Sequence, residues 1–152
     1  MSAGLGPLDA GVVIARLRSN APLLRTVGAA ADYVAAYDRP GAPPAAFVVL
    51  AGEQVRVTQM AGAAMHTVVA EVDVAVMVRS YAAAARGGEQ LDALVPVVAE
   101  VRAALNGWRP AVDGAEVVEE MQGAGRARVL RHSADVVWWV DRFSVTYRGR
   151  IG

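Results

Sequence analysis

Four consecutive residues, His132-Ser133-Ala134-Asp135, carry the side-chain types of a catalytic triad. A triad needs its base held between nucleophile and orienting carboxylate, which converging segments achieve and a four-residue stretch does not. The spacing reads instead as a hairpin turn. His66 has neither a histidine nor a carboxylate at the i+3 or i+4 spacing of a helical metal site, and both histidines read as polar residues at strand ends. Gly123-Ala-Gly125-Arg-Ala-Arg128 opens like a dinucleotide loop, but the third glycine is missing and a strand follows where a helix should begin. Glu119 and Glu120 are strand neighbours, so they face opposite sides and do not form an acid/base pair with Glu116. With no cysteine, there is neither a thiolate site nor a disulfide frame. No catalytic, metal-binding or cofactor-binding residue is assigned, and the chain reads as a non-enzyme.

Charge placement is more informative. Net charge is zero, which argues against broad electrostatic capture of nucleic acid. Residues 1–122 hold 9 arginines against 13 acids, whereas residues 123–152 hold 6 arginines against 2 acids. Opposite-sign regions on one small protein suit pairing between subunits. All 15 basic residues are arginine, most simply a GC-rich coding bias, although a side chain that pairs bidentately and stays charged also suits interfaces.

At 152 residues, 55% apolar, and with a mean hydropathy of +0.31, the chain is expected to fold as a single domain, 1–152. No stretch reaches the ~18 uncharged residues of a membrane helix, and the N-terminus lacks a secretory pattern. Asp9 is placed to cap a first helix with Val12, Val13, Leu17 and Leu24 on its apolar side and Arg16 and Arg18 turned away, ended by Pro22. Val27–Tyr37 reads as a further, Ala-rich helical turn or two. Ala45–Leu50 reads as a buried strand, and Ala51–Ala64 as a protruding loop or a short hairpin arm with Val55 and Val57 alternating. Met65–Arg79 is the clearest strand, with every even position from Val68 to Val78 apolar. Its length means that it bends or projects.

Ala82–Gly88 reads as a loop. Glu89–Asn106 carries a helical stripe of Leu91, Leu94, Val98, Val101 and Leu105, with a late start or kink expected at Pro96. Gly107 suits the left-handed stop, Trp108 the apolar anchor, and Pro110 bars continuation. Ala115–Gln122, Arg126–His132 and Val136–Arg148 read as an antiparallel meander. Val137, Trp139, Phe143, Val145 and Tyr147 share one face of the last strand, and Trp138 points to the other. The order implies an α+β fold: a mixed or antiparallel sheet with a long central strand and helices on one face.

This pattern resembles the tail terminator family of tailed bacteriophages and related particles. The similarity is carried by a short N-terminal helix, Pro44-Ala-Ala-Phe-Val-Val-Leu50, and a loop bearing Gln59 before the long strand. It continues through Leu105-Asn-Gly-Trp-Arg-Pro110 and a last strand with Trp139, Phe143 and Arg148. It spans roughly residues 8–150 and departs at Val27–Tyr37 and in the absence of lysine.

The resemblance implies a virion structural protein, without cofactor. Such proteins assemble as a ring, commonly a hexamer, that caps the head-proximal end of the tail tube, ends tube polymerisation and offers the joining surface for the capsid. The implied partners are further copies of the chain, the tail tube protein and a head–tail connector or head-completion protein. No membrane and no sequence-specific nucleic-acid contact are implied, although DNA passes through the ring. The implied location is the virion neck, in a phage, prophage or gene transfer agent, after assembly in the host bacterial cytoplasm. A closed head-to-tail ring needs two different patches per subunit. The expected interface residues are Arg56, Gln59, Glu71, Asp73 and Arg79 on the arm and long strand, and Arg126, Arg128 and Arg131 on the basic meander. Gly107, Trp108, Pro110, Trp139 and Phe143 are expected to be structural. The competing readings are a different neck component and a small ligand-binding domain, and the latter would need a convergent polar pocket that the sequence does not display.

Overall fold

The computed structural model describes residues 5–32, 42–79, 87–132 and 136–151. Among these the elements are α1 (Ala10–Asn20), β1 (Thr26–Ala29), β2 (Ala45–Met60), β3 (Ala63–Arg79), α2 (Gly87–Leu105), β4 (Glu116–Gly123), β5 (Arg128–His132) and β6 (Val136–Ile151). The strands form one sheet in the order β1-β2-β3-β6-β4, with β5 also paired to β6. β1 runs parallel to β2, and the other pairings are antiparallel. This is the α+β class that the element order implies.

Both helices pack on one face of the sheet. Val13 and Leu17 of α1 and Leu94, Val98, Val101 and Leu105 of α2 share a buried cluster with the even positions Val68 to Val78 of β3 and with Val137, Phe143, Val145 and Tyr147 of β6. The period-2 pattern of β3 thus meets the 3.6-residue stripe of α2, and this contact excludes water from the core. On the opposite face a second buried cluster joins Ala45, Phe47, Ala75, Met77, Val136 and Trp138. Its aromatic pair, Phe47 and Trp138, has ring centroids 5.8 Å apart. Trp138 and Trp139 therefore do point to opposite faces.

Local chemistry sets the helix ends. The Asp9 carboxylate accepts from the Gly11 N–H at 2.8 Å, and α1 stops at Asn20, before Pro22. Arg16 and Arg18, expected to turn away, reach back instead. Arg16 donates to the Ala104 carbonyl at 2.9 Å with its guanidinium 5.4 Å from the Trp108 ring centroid, and Arg18 donates to the Val27 carbonyl at 2.9 Å. An aliphatic stem lets such a charge span apolar surface to a carbonyl at the next element's end. α2 begins at Gly87 and runs through Pro96. Pro96 and Asp92, the residue four before it, are both exposed, so water can satisfy the carbonyl that the proline leaves without an N–H. Gly107 stops α2 with φ at +82°.

Three expectations change. Val27–Ala29 belongs to strand β1 rather than to a helix, because it completes the edge of β2 next to Ala46–Val48; helical backbone starts only at residue 30, and residues 33–41 lie outside the described part, as do 80–86 of the expected loop. Of the two readings of segment 51–64, the hairpin arm holds and the loop does not, and the arm is longer than expected: β2 continues to Met60 past a bulge at Ala51, turns at Ala61–Gly62 with Gly62 at φ +76°, and returns as β3. Finally, the basic region is not a meander. β4 and β5 both lie on the same edge of β6, β4 along Phe143–Arg148 and β5 along Val137–Val140. They act as one interrupted strand, and Gly125 (φ +74°) marks the break rather than a chain reversal. The Ala124 N–H still donates to the Arg142 carbonyl at 2.8 Å, so the chain stays beside β6 across that break.

β3 has 17 residues, roughly 55 Å at ~3.3 Å per residue. It is not alone: β6 accompanies it from the Ala64–Ile151 pair to the Arg79–Val136 pair and β2 from Ala63 to Met77, and β4 lies beside β6 as far as Arg148, so only the distal tip of this blade, Val57–Met60, Ala63–His66 and Gly149–Ile151, is three-stranded. No helix among the described residues is long and apolar enough to cross a membrane.

Candidate functional site

The expected interface residues fall into three places on this blade. Arg56 and Gln59 are exposed at the distal end of β2. Glu71 and Asp73 sit at mid-strand on the face away from the helices. Arg79 closes the proximal end of β3, and Arg126 and Arg128 are exposed on the β4–β5 run beside the proximal half of β6. The side chain of Arg131 lies outside the described part, as do Ser133–Asp135. The sheet thus separates a distal group from a proximal one. Arg56 stands opposite Thr67, 12 residues from Arg79 and so about 40 Å away along the strand.

The mid-strand acids are not free. Arg142 of β6 stands opposite Asp73 and pairs bidentately with it, Nε to Oδ1 at 2.7 Å and Nη2 to Oδ2 at 3.0 Å, and it reaches Glu71 at 3.4 Å. The hydrogen bond to Asp73, then its charge, holds the Arg142 pKa above the ordinary arginine value. The partner is legible in principle: in antiparallel register, the acids of one strand meet the basic residue of the next. A second pair links helix to sheet. Arg102 of α2 binds the buried Asp141, Nε to Oδ2 at 2.8 Å and Nη2 to Oδ1 at 3.0 Å. That hydrogen bond raises the Arg102 pKa against a smaller opposing cost of burial. Asp141 interrupts an otherwise apolar face of β6, the one signal the sequence offers for it.

The distal end is tied down through Tyr147. Its hydroxyl donates toward the Gly6 carbonyl at 3.1 Å and Glu53 Oε1 at 3.2 Å, and the Leu8 N–H donates to the same carboxylate oxygen at 3.0 Å. Burial first, and the Glu53 charge second, push the Tyr147 hydroxyl up to about 12. Behind it, Gly149 has no room for a side chain: a Cβ there would lie 2.5 Å from the Gly114 carbonyl oxygen and 2.7 Å from Leu5.

The residues expected to be structural lie at the end of α2 and on β6. Gly107 and Trp108 stitch the helix stop to β4, with the Gly107 N–H on the Met121 carbonyl and the Met121 N–H on the Trp108 carbonyl, both at 2.8 Å. Pro110 and Phe143 are buried, and Trp139 packs against the main core.

Among the described residues no group of three or more His, Asp or Glu is arranged to hold a metal ion. Two of the concavities have mixed linings. One of about 290 Å³ lies between Arg102, Asn106, Asp141 and Arg142, and one of about 500 Å³ lies along Gln54, Arg56, Thr67 and Val69. What the arrangement presents to the exterior is surface: an exposed distal strand with Val55, Val57 and Met60, and a basic proximal edge.

A chain described as part of the virion of a native gene transfer agent particle superposes with a TM-score of 0.58 at 20% identity, over 92% of this chain and 94% of that one. At that identity the likeness is one of fold. Curated proteins include no match. The family model described as phage tail terminator protein matches residues 3–151. The chain belongs to the phage tail terminator family.

Proposed function

We propose that this protein closes as a ring, most simply a hexamer, on the head-proximal end of a tail tube, ends tube growth and presents the surface that joins the neck. The family match over 149 of the 152 residues carries this reading. The placement of the exposed groups supports it: the distal strand bearing Arg56 and Gln59 and the proximal edge bearing Arg126 and Arg128 are different surfaces at opposite ends, as a head-to-tail ring needs. The partners in this reading are other copies of the chain, the tube protein and a connector or head-completion protein. No step of bond chemistry is required.

The test is to mix the purified protein with polymerising tail tube subunits and measure tube length by negative-stain microscopy. Shortened tubes with a cap at one end are expected. Tubes of unchanged length without a cap, together with binding to a portal-side assembly, would assign the chain to another neck position. The charge-reversal pair Arg126→Glu/Arg128→Glu should lower ring formation while leaving the circular dichroism spectrum unchanged, and undiminished assembly would remove those residues from the interface.

A further inference from the structure

The edges of this sheet are closed unequally. β1 covers the outer edge of β2 only from Ala45 to Val48. The outer edge of β4 is closed by its own chain: Met121 pairs with Gly107 and Trp108, the Gly123 N–H reaches Asn106 Oδ1 at 2.9 Å, and Arg109 reaches the Val117 carbonyl at 2.8 Å. From Gly52 to Met60, however, β2 has β3 on one side and no strand on the other among the described residues. These residues make an open edge of about 30 Å. Soluble proteins normally blunt such an edge with proline, charged side chains or bulges. This stretch has no proline, its charges are Glu53, which accepts from Leu8 and Tyr147, and Arg56, and its bulge lies before it, at Ala51. Val55 and Val57, on the helix face, are 57% and 48% exposed.

A second open edge belongs to β5, whose pairing among the described residues is with β6 alone. Beside it, Leu94, Val95, Val98 and Ala99 of α2 and Trp139 of β6 wall an apolar cavity of about 360 Å³. Val95 there is 64% exposed, and Val129 of β5, opposite Trp139, is 40% exposed. The Nε1 of Trp139 is buried without a hydrogen-bond acceptor.

The two edges fit each other only between copies. Val55 stands at the level of Val68 and Val129 at the level of Val76, eight residues apart, or ~26 Å along the strands. β2 and β6 run the same way and β5 runs opposite. A neighbour placed alongside without inversion therefore brings its β2 antiparallel to β5, with the helices of both copies on the same side. The 26 Å stagger sets the strands oblique to the ring axis, as tilt and stagger are linked in any closed sheet.

We propose that the Gly52–Met60 edge of each copy adds as a strand to β5 of the next copy, seating Val55 and Val57 against Val129 and Val95. This rests on the ring reading and names the contact that closes it. The chain has no cysteine, so introduced thiols are the only ones present. Val57→Cys and Val55→Cys are each combined with Val129→Cys in the full chain, oxidised, and run on non-reducing denaturing gels; solution mass is measured in parallel. The expected result is a covalent ladder climbing to ring size for at least one pair, with single variants and a Leu23→Cys/Val129→Cys control giving none. A ring by mass without a ladder overturns the edge assignment and leaves the ring intact. A monomer without a ladder, both alone and mixed with tail tubes, overturns both readings.

Discussion

Arg142 and Asp73 face one another across β6 and β3 and share two hydrogen bonds, at 2.7 and 3.0 Å, with Glu71 3.4 Å from the same guanidinium. Residue type and strand position alone put both acids at a subunit interface, yet the charge of Asp73 is answered within the chain, leaving Glu71 only the longer contact. The pair is half-exposed, so its contribution is that of a well-oriented surface bridge. A double-mutant cycle of Arg142→Ala and Asp73→Ala, read by urea unfolding, should give a coupling of about 1 kcal/mol. Zero coupling would mean that the pair is available to an external partner.

Arg102 and Asp141 present the opposite case. Asp141 is 5% exposed, and its carboxylate is matched by one guanidinium from α2. Removing that guanidinium leaves a buried charge without its partner, so Arg102→Ala should destabilise by about 3 kcal/mol. Arg102→Ala/Asp141→Asn should recover a good part of the loss, because the uncompensated charge is gone. Equal destabilisation in single and double variants would show that packing, not charge, dominates there.

Tyr147 predicts an alkaline signature. Its hydroxyl is pushed up to about 12 from an ordinary 10, so the native state holds a proton that the unfolded state releases earlier. The stability this contributes is fully present below pH 10 and is lost as pH rises from 10 to 12. With no lysine in the chain, side-chain titration in that window belongs mainly to tyrosine. Unfolding free energy measured against pH should fall across this window in the wild type and fall less in Tyr147→Phe. Parallel curves would contradict the assignment.

Gly149 tests the close crossing of the N-terminal segment over β6. A methyl group there meets the Gly114 carbonyl at 2.5 Å, so backbone has to move. Gly149→Ala should lower stability by about 1–3 kcal/mol, the usual cost of overpacking. An unchanged melting temperature would mean that residues near Leu5 and Gly114 yield freely.

Much of this architecture is legible in the residues. The even positions of β3, the α2 stripe and the Asn106-Gly107-Trp108 stop each follow from local periodicity or from a single left-handed glycine. What escapes depends on pairing. Val27–Ala29 is a strand only because Ala46–Val48 lies beside it, and no property of its own residues reveals that. Gly123-Ala-Gly125 reads as a turn between strands because the composition of a reversal and of an interruption is the same. The Arg142 and Arg102 bridges need the register and the helix position, neither of which a single strand encodes. Charge selects Glu71 and Asp73 from the sequence, but charge alone does not say that Arg142 answers them. The exposure of Val55 and Val57 becomes visible only once β2 is seen to continue to Met60 with an uncovered edge.

Ring formation is tested most directly by the solution mass of the purified protein, by light scattering after size exclusion over a range of concentrations. A species near six times the 15.9 kDa chain is the predicted result. A monomer at every concentration that also forms no ring on added tail tubes contradicts it.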